Sequence, residues 1–304
     1  MKRAIHGLII FASLAFMTYL LISQWRSIPE TEITINPGLL VFSIFCLLIL
    51  FLLDAYGWHL ILRSLDQTID AQTSVRIWIL SSVTRYLPGG IWPYIGRVSM
   101  SKKAGVGYST SSVSLYIETL LMASSSLAVG FPALLGATGI PVSPYFGLAS
   151  LFLFGLALHP KVIMLLGYLP GKIGEAFSSL KLPLIRHIFI LYIYYVVFWI
   201  LFGVVFVCFV LSIYSVPSEH WIQIGGSIAL GFSIGFIFII FPGGIGIREA
   251  TIYLLLAPIL TPAASALISV GSRIWVISGE ALSLLLMLIV KNRVPDSPSD
   301  KILD

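Results

Sequence analysis

Charge is what this sequence lacks most. Lysine, arginine, aspartate and glutamate together make up 10% of its 304 residues, whereas an ordinary soluble domain has about 25%. Hydrophobic residues account for 58% of the chain, and its mean hydropathy is +1.00. This composition excludes an ordinary soluble globular protein and indicates an integral membrane protein.

Residue patterns typical of metal centres and active sites are also missing. The two cysteines, Cys46 and Cys208, lie in apolar runs and match no paired or metal-ligand spacing. The five histidines are scattered, and no metalloprotease helix, paired-aspartate motif or nucleophile elbow with its partners is found. The sequence therefore predicts no catalytic residue, no metal and no cofactor, and a protein that is not an enzyme.

Long apolar runs recur along the whole chain. A run of about 18 residues or more can cross a hydrocarbon core of about 30 Å as a helix, and these runs are not the alternating ten-residue segments of a membrane β-barrel. We therefore predict an all-α, polytopic membrane protein with about eight transmembrane helices. The predicted spans are 5–23, 38–60, 108–130, 145–168, 187–213, 221–241, 246–260 and 263–290.

The basic residues predict the orientation of these spans. If the spans are successive crossings, 15 of the 18 basic residues fall on one side, and only Arg26 falls clearly on the other. Because basic residues accumulate on the cytoplasmic side, both termini are predicted to be cytoplasmic. The same bias accounts for the net charge of +5, so nucleic acid is not an expected partner. Residues 1–293 form one predicted transmembrane domain, and 294–304 a short disordered cytoplasmic tail.

The tetrapeptide Pro-Gly-Gly-Ile occurs twice, beginning at Pro88 and at Pro242, 154 positions apart. Each copy is followed by an arginine and later by an acidic residue in an apolar run. These residues are Arg97 and Glu118 after the first copy, and Arg248 and Glu280 after the second. The pattern predicts an internal pseudo-repeat with halves at about 38–135 and 187–293.

Both copies should interrupt a helix. Proline donates no backbone hydrogen bond and glycine weakens a helix, and within a membrane such breaks are tolerated only where protein or water covers them. The predicted helix-break residues are Pro88, Gly89, Gly90, Pro242, Gly243, Gly244 and Gly246. Residues 77–98 have basic flanks on both sides, which is typical of a re-entrant hairpin, and the second copy predicts a broken crossing or a second hairpin. Paired breaks of this kind mark the binding site of many transporters.

Charges inside the apolar runs support the same interpretation. Arg273 and Glu280 lie seven residues apart on one face of the last predicted span, and Glu118 lies in a stripe with small residues. These stripes predict either tight helix packing or a cavity lining. For Arg248 and Glu249, the alternative is a pair of interfacial charges beside a helix start. Asp54 and His59 do not share a helix face.

Three segments carry a family resemblance: YLPGGIWPYIGR (86–97), FPGGIGIREA (241–250) and SRIWVISGEAL (272–282). In this order they resemble the lysylphosphatidylglycerol synthase transmembrane-domain family, also described as flippase-like membrane proteins. The resemblance implies a helical protein of the prokaryotic cytoplasmic membrane that handles lipids or lipid-linked sugars. It does not carry over the synthase activity of the fused members, because only a short tail follows Arg293. The first motif departs from the second, since no glutamate stands next to Arg97.

The sequence therefore predicts a transporter that moves an amphipathic lipid with a charged headgroup between leaflets. The predicted contacts for an anionic headgroup are Arg85, Arg97, Arg248 and Arg273, because guanidinium groups pair well with phosphate. Glu118, Glu249 and Glu280 would balance these arginines or bind a cationic headgroup. The alternatives are a membrane-embedded lipid or glycosyl transferase, and an accessory subunit whose partner is a lipid-modifying enzyme or glycosyltransferase.

Overall fold

The computed structural model describes residues 34–86, 91–137, 155–157, 159, 162, 183–237 and 246–290. Within these residues every regular element is a helix. The α-helices with defined bounds are α1 (Pro37–Ser64), α2 (Ala71–Ser82), α3 (Trp92–Lys103), α4 (Tyr108–Ala137), α5 (Ile185–Leu211), α6 (Trp221–Ile237), α7 (Ile247–Leu256) and α8 (Pro262–Ile289). A 3-10 turn, Val83–Tyr86, extends α2.

Four of these helices, α1, α4, α5 and α8, are long and apolar enough to cross a membrane. They confirm four of the eight predicted spans. The predicted spans 221–241 and 246–260 correspond to α6 and α7, and neither is among the helices long enough to cross. For α6, 17 residues are described, and 238–241 lie outside the described residues. At 1.5 Å per residue the ten residues of α7 measure about 15 Å, less than the core thickness of about 30 Å. The predicted span 5–23 and most of 145–168 lie outside the described residues.

Side-chain caps fix where several helices begin. Asn36 accepts a hydrogen bond from the Leu39 amide at 3.0 Å, and Asp70 accepts one from the Thr73 amide at 2.8 Å. Thr261 caps α8 in the same way. Each cap satisfies an amide that has no partner within its helix. The starts of α1, α2 and α8 are therefore set by local sequence.

Helices α1 and α5 pack antiparallel. The Asn36 amide, just before α1, donates to the carbonyl of Ser212, just after α5, at 2.7 Å. Towards the other end of the pair, Tyr194 Oη donates to the Leu53 carbonyl at 2.5 Å. The start of α1 and the end of α5 therefore lie at the same end of the bundle.

Helix α8 runs parallel to α1, and α4 begins where α1 ends. Trp275 Nε1 of α8 donates to Ser43 Oγ of α1 at 3.0 Å, and Gly279, one turn later, packs on Leu47. Near the end of α1, Trp58 Nε1 donates to Ser114 Oγ, six residues into α4, at 3.0 Å. These contacts place the connections 65–70 and 104–107 together, at what we call the first end of the bundle. The connections 212–220 and 257–261 lie at the opposite, second end.

Two pairs of shorter helices enter the bundle from these opposite ends. The first helix pair, α2 and α3, has its outer termini at the first end, where the Arg76 guanidinium donates to the Met287 carbonyl near the end of α8 at 2.6 Å. The second helix pair, α6 and α7, has its outer termini at the second end, where Gln223 Nε2 of α6 donates to the Leu255 carbonyl of α7 at 2.9 Å. Each helix pair therefore reaches into the bundle from a different side.

Small residues allow the second helix pair to approach its neighbours closely. A Cβ atom on Gly130 of α4 would lie 2.6 Å from the Leu230 amide nitrogen of α6, and one on Gly203 of α5 would lie 2.9 Å from the Gly225 carbonyl oxygen. Deeper along α4, the hydroxyls of Ser126 and Ser233 are 2.5 Å apart. Close packing through small residues and hydroxyl pairs is typical of helices within membranes.

Candidate functional site

The first ion pair, between Arg97 of α3 and Glu118 of α4, is buried where the first helix pair packs against α4. The two side chains are in direct contact, and Arg97 is 6% exposed and Glu118 7% exposed. The second carboxylate oxygen of Glu118 accepts a hydrogen bond from Trp78 Nε1 at 2.6 Å. Arg97 Nε donates to Ser81 Oγ at 3.3 Å. This pair therefore joins α2, α3 and α4 through charged and hydrogen-bonded contacts.

Two tryptophan rings flank the Arg97 guanidinium. Its Cζ atom lies 5.3 Å from the centre of the Trp58 ring and 5.1 Å from that of Trp78. A guanidinium over an indole face is stabilised by the ring quadrupole, more so when water is excluded. Arg97 thus keeps favourable contacts even if its carboxylate partner changes.

The second ion pair connects the first helix pair with α8. Arg85, in the 3-10 turn after α2, lies 2.8 Å from Glu280, and these side chains are 27% and 13% exposed. Arg85 Nε also donates to the Ser82 carbonyl at 3.0 Å. Arg85 is therefore the most accessible arginine of the described ion pairs.

The third ion pair connects the second helix pair with α8. Glu249, at the start of α7, lies 3.6 Å from Arg273. Its other carboxylate oxygen accepts a hydrogen bond from the Gly246 amide at 2.7 Å. Gly246 has a φ of 86°, a conformation that glycine adopts readily and other residues rarely do. Glu249 therefore both holds the start of α7 and faces α8.

Arg248 lies beside this third pair and is 4% exposed. Its Cζ atom is 4.2 Å from the centre of the Phe232 ring of α6. The close contact of Gly231 with the Arg248 backbone and side chain brings α6 and α7 together at this point. Arg248 and Glu249 therefore stand at the start of α7 with both side chains buried between helices.

The two charged residues of α8 pair with different helix pairs. Arg273 and Glu280 share a face of α8, as expected, but Glu280 pairs with Arg85 and Arg273 with Glu249. Their separation of seven residues corresponds to about 10 Å along the helix, which is too far for direct pairing. One face of α8 therefore contacts both helix pairs, two turns apart.

Most predicted break residues cannot be placed. Pro88, Gly89, Gly90, Pro242, Gly243 and Gly244 lie outside the described residues, and so does their predicted convergence. In the sequence, the first motif stands between the inner termini of α2 and α3, and the second between those of α6 and α7. The small residues of the two predicted stripes are buried: Ser111, Ser114 and Ser125 on α4, and Ser269, Ser272 and Ser283 on α8.

Sequence reasoning gave little weight to Asp54, which the structure places near the first ion pair. Asp54 is 5% exposed, and Glu118, Arg97 and Arg85 are the charged groups that act on it. It is the only acidic residue in the 28 residues of α1. This isolation in the sequence could have identified Asp54 as a functional residue, because inserting a lone carboxyl into an apolar span costs free energy unless it has a partner or a function.

These groups can recognise a charged ligand by exchanging ion-pair partners. Arginine donates up to five hydrogen bonds in a planar fork that matches phosphate or carboxylate. In the described part of the chain, no group of three histidine, cysteine, aspartate or glutamate side chains could hold a metal ion. The site is thus suited to binding a charged group through arginine and glutamate.

Long apolar helices with ion pairs buried between them define a helical membrane protein with a charged interior. Comparison with known protein families matches residues 5–277 to the lysylphosphatidylglycerol synthase TM region. The chain belongs to this family, and the resemblance seen in the sequence is confirmed. No curated protein matches the chain significantly. The family suggests a membrane role related to lipids, and its TM region is a domain separate from the catalytic aminoacyltransferase domain.

Proposed function

We propose that this protein is a lipid transporter that moves an amphipathic lipid with a charged headgroup between membrane leaflets. The observation that carries the proposal is the entry of two helix pairs from opposite ends of the bundle, with buried ion pairs at both. Membership of a lipid-related membrane family supports it.

The order of helices supports a duplicated architecture. Each half contains a long helix, a shorter helix, a Pro-Gly-Gly motif, a second shorter helix and a final long helix. Corresponding helices of the two halves begin 148, 150, 155 and 154 residues apart. This near-constant spacing fits one ancestral unit of four helices better than a chance recurrence of four residues.

The helix directions support an inverted duplication. Helices α1 and α5 occupy corresponding places in the two halves and run in opposite directions. The contacts between halves correspond as well: Arg76 lies against Met287, and Gly226, at the equivalent place in α6, lies against Ala133 of α4. Inverted repeats with paired helix breaks are typical of secondary transporters, whose substrate sites lie between the repeats.

The charges give a route for the headgroup. Arg85 is partly exposed and contacts the headgroup first. Its partner Glu280 lies on α8, and two helical turns away on that helix Arg273 pairs with Glu249 of the second helix pair. When the phosphate of the headgroup replaces the glutamate partner of an arginine, that arginine stays paired with an anion. The acyl chains stay in the surrounding lipid, so only the polar group needs this path.

The basic residues at helix ends support the orientation. Arg63, Lys102, Lys103 and Arg186 all lie at the first end of the bundle, and the connection at the second end carries Glu219. Under the positive-inside rule the first end is cytoplasmic. The first helix pair then enters from the cytoplasm and the second from the opposite side.

Transport can be measured in liposomes of phosphatidylcholine containing a trace of fluorescently labelled phosphatidylglycerol, whose outer-leaflet label is removed by dithionite. We expect the purified protein to make inner-leaflet label accessible. Arg85→Gln should reduce the rate at least about tenfold, since one charge-assisted contact contributes about 1.5–3 kcal/mol. Arg186→Gln, which removes an exposed arginine, should leave the rate unchanged.

Labelled phosphatidylcholine, reconstituted in parallel, tests whether a net anionic headgroup is preferred. Mass spectrometry of the recovered lipids separates the alternatives. Conversion of the lipid would establish a transferase, and neither movement nor conversion would favour an accessory subunit. Equal rates for wild type, Arg85→Gln and protein-free liposomes would overturn the proposal.

A further inference from the structure

We propose that Asp54 is a proton-binding site and that its proton is the ion coupled to transport. This inference rests on the transport function proposed above. Asp54 lies in the middle of α1, is buried, and its Oδ1 atom has no hydrogen-bond partner among the described residues. A buried ionised carboxylate without such partners is strongly disfavoured, whereas a protonated one is tolerated more readily.

Polar groups lie near Asp54, but none of the described ones forms a hydrogen bond with its Oδ1 atom. Tyr195 Oη, on α5, is likewise buried and without a hydrogen-bond partner among the described residues. It lies 2.7 Å from where a Cβ atom on Gly57 would stand, so it reaches α1 within one turn of Asp54. The neighbouring Tyr194 of α5 donates its hydroxyl hydrogen to the Leu53 carbonyl of α1. Two unsatisfied oxygens on neighbouring helices indicate a site built for an exchangeable proton.

Arg97 pairs with Glu118 and also lies within electrostatic reach of Asp54. Arg97 is already paired with Glu118, which also accepts a hydrogen bond from Trp78. Trp58, one turn from Asp54 on the same face of α1, lies under the Arg97 guanidinium. Rotation of Arg97 over this ring would bring it from Glu118 towards Asp54. The charged and titratable groups around Asp54 are Glu118 of α4, Arg97 of α3, Arg85 of the 3-10 turn, and Tyr194 and Tyr195 of α5.

The coupling step moves one proton. With Glu118 on Arg97, the Asp54 carboxyl holds its proton. When Arg97 turns to Asp54, the O–H bond of Asp54 breaks, the proton leaves to water on the side then open, and Asp54 is ionised beside the arginine, while Glu118 keeps the hydrogen bond from Trp78. When the first pair re-forms, Asp54 takes up a proton from the other side. A proton suits this lone carboxyl better than a metal ion, because the described residues contain no three-ligand cluster.

Proton binding can be measured without transport. Infrared difference spectroscopy of the protein in lipid nanodiscs, titrated with pH, should show the C=O band of a protonated carboxyl group growing on acidification. This band should be absent in Asp54→Asn and present in Asp66→Asn, a matched change at an exposed acid. Absence of any band that depends on Asp54, in folded protein across the pH range in which it stays folded, would overturn the proton site.

Coupling is measured by the dithionite assay with labelled phosphatidylglycerol in liposomes that carry a pH gradient. A difference of two pH units can drive up to about a hundredfold asymmetry per proton, so we expect the gradient to bias lipid movement in wild type and Asp66→Asn and not in Asp54→Asn. Movement that is unaffected by a pH gradient, or that responds to a sodium gradient instead, would overturn the coupling and leave the transport function intact. If no lipid moves at all, the proposed function fails, while the infrared band still decides the proton site.

Discussion

Replacing Glu118 with leucine should lower the free energy of unfolding by about 3–5 kcal/mol, because it removes the carboxylate from a buried arginine. Glu118 pairs with Arg97 and accepts a hydrogen bond from Trp78, so both partners lose a contact while they remain buried. The measurement is a denaturant titration of the purified protein in mixed micelles, followed by tryptophan fluorescence. We expect the midpoint to fall well below that of wild type.

The double variant Arg97→Leu with Glu118→Leu measures how much of this loss comes from leaving the Arg97 charge without its carboxylate. Removing both charges leaves no stranded ion, so the double variant should be more stable than Glu118→Leu alone. Glu219→Gln serves as the control, since Glu219 is a mostly exposed acid whose side chain is 75% accessible. A loss of less than about 1 kcal/mol in Glu118→Leu would show that water reaches this pair freely, as at exposed ion pairs.

Replacing Glu249 with alanine should lower the free energy of unfolding by about 4–6 kcal/mol. It removes the buried carboxylate that faces the partly buried Arg273, at about 3–5 kcal/mol, and the hydrogen bond to the Gly246 amide at the start of α7, at about 1 kcal/mol. The same denaturant titration measures the loss. Both contacts come from one carboxylate whose residue is 1% exposed.

Glu249→Gln distinguishes the two contributions, because its amide oxygen can still accept from Gly246 but carries no charge. We expect it to be more stable than Glu249→Ala and less stable than wild type. Glu280→Gln provides the comparison at a more open ion pair, since its partner Arg85 is 27% exposed. A larger loss for Glu280→Gln than for Glu249→Ala would contradict the difference in burial described here.

The long helices could be predicted from the sequence because hydropathy over about 20 residues reports a property of each segment alone. The predicted spans 38–60 and 263–290 match α1 and α8 closely. The same criterion does not distinguish a full crossing from a short helix such as α7, since apolar residues occur in both. The ten residues of α7 show the difference only when both of its ends are known.

The partners of the charges could not be predicted. Sequence spacing places Arg273 and Glu280 on one face of α8, but which helix meets each side chain depends on how separate segments pack. Glu280 meets a residue 195 positions earlier in the chain, and no local pattern encodes that contact. Asp54 shows the same limit, because its proximity to Glu118 and Arg97 arises only when α1, α3 and α4 come together.

The central claim is that the two helix pairs enter the membrane from opposite sides, and labelling of single cysteines tests it most directly. Lys103→Cys lies at the end of α3 and Glu219→Cys lies just before α6, both exposed, in a background where Cys46 and Cys208 are replaced by serine. An impermeant maleimide should label one variant from the cytoplasm and the other only from the opposite side. Labelling of both positions from the same side of the membrane would contradict this account.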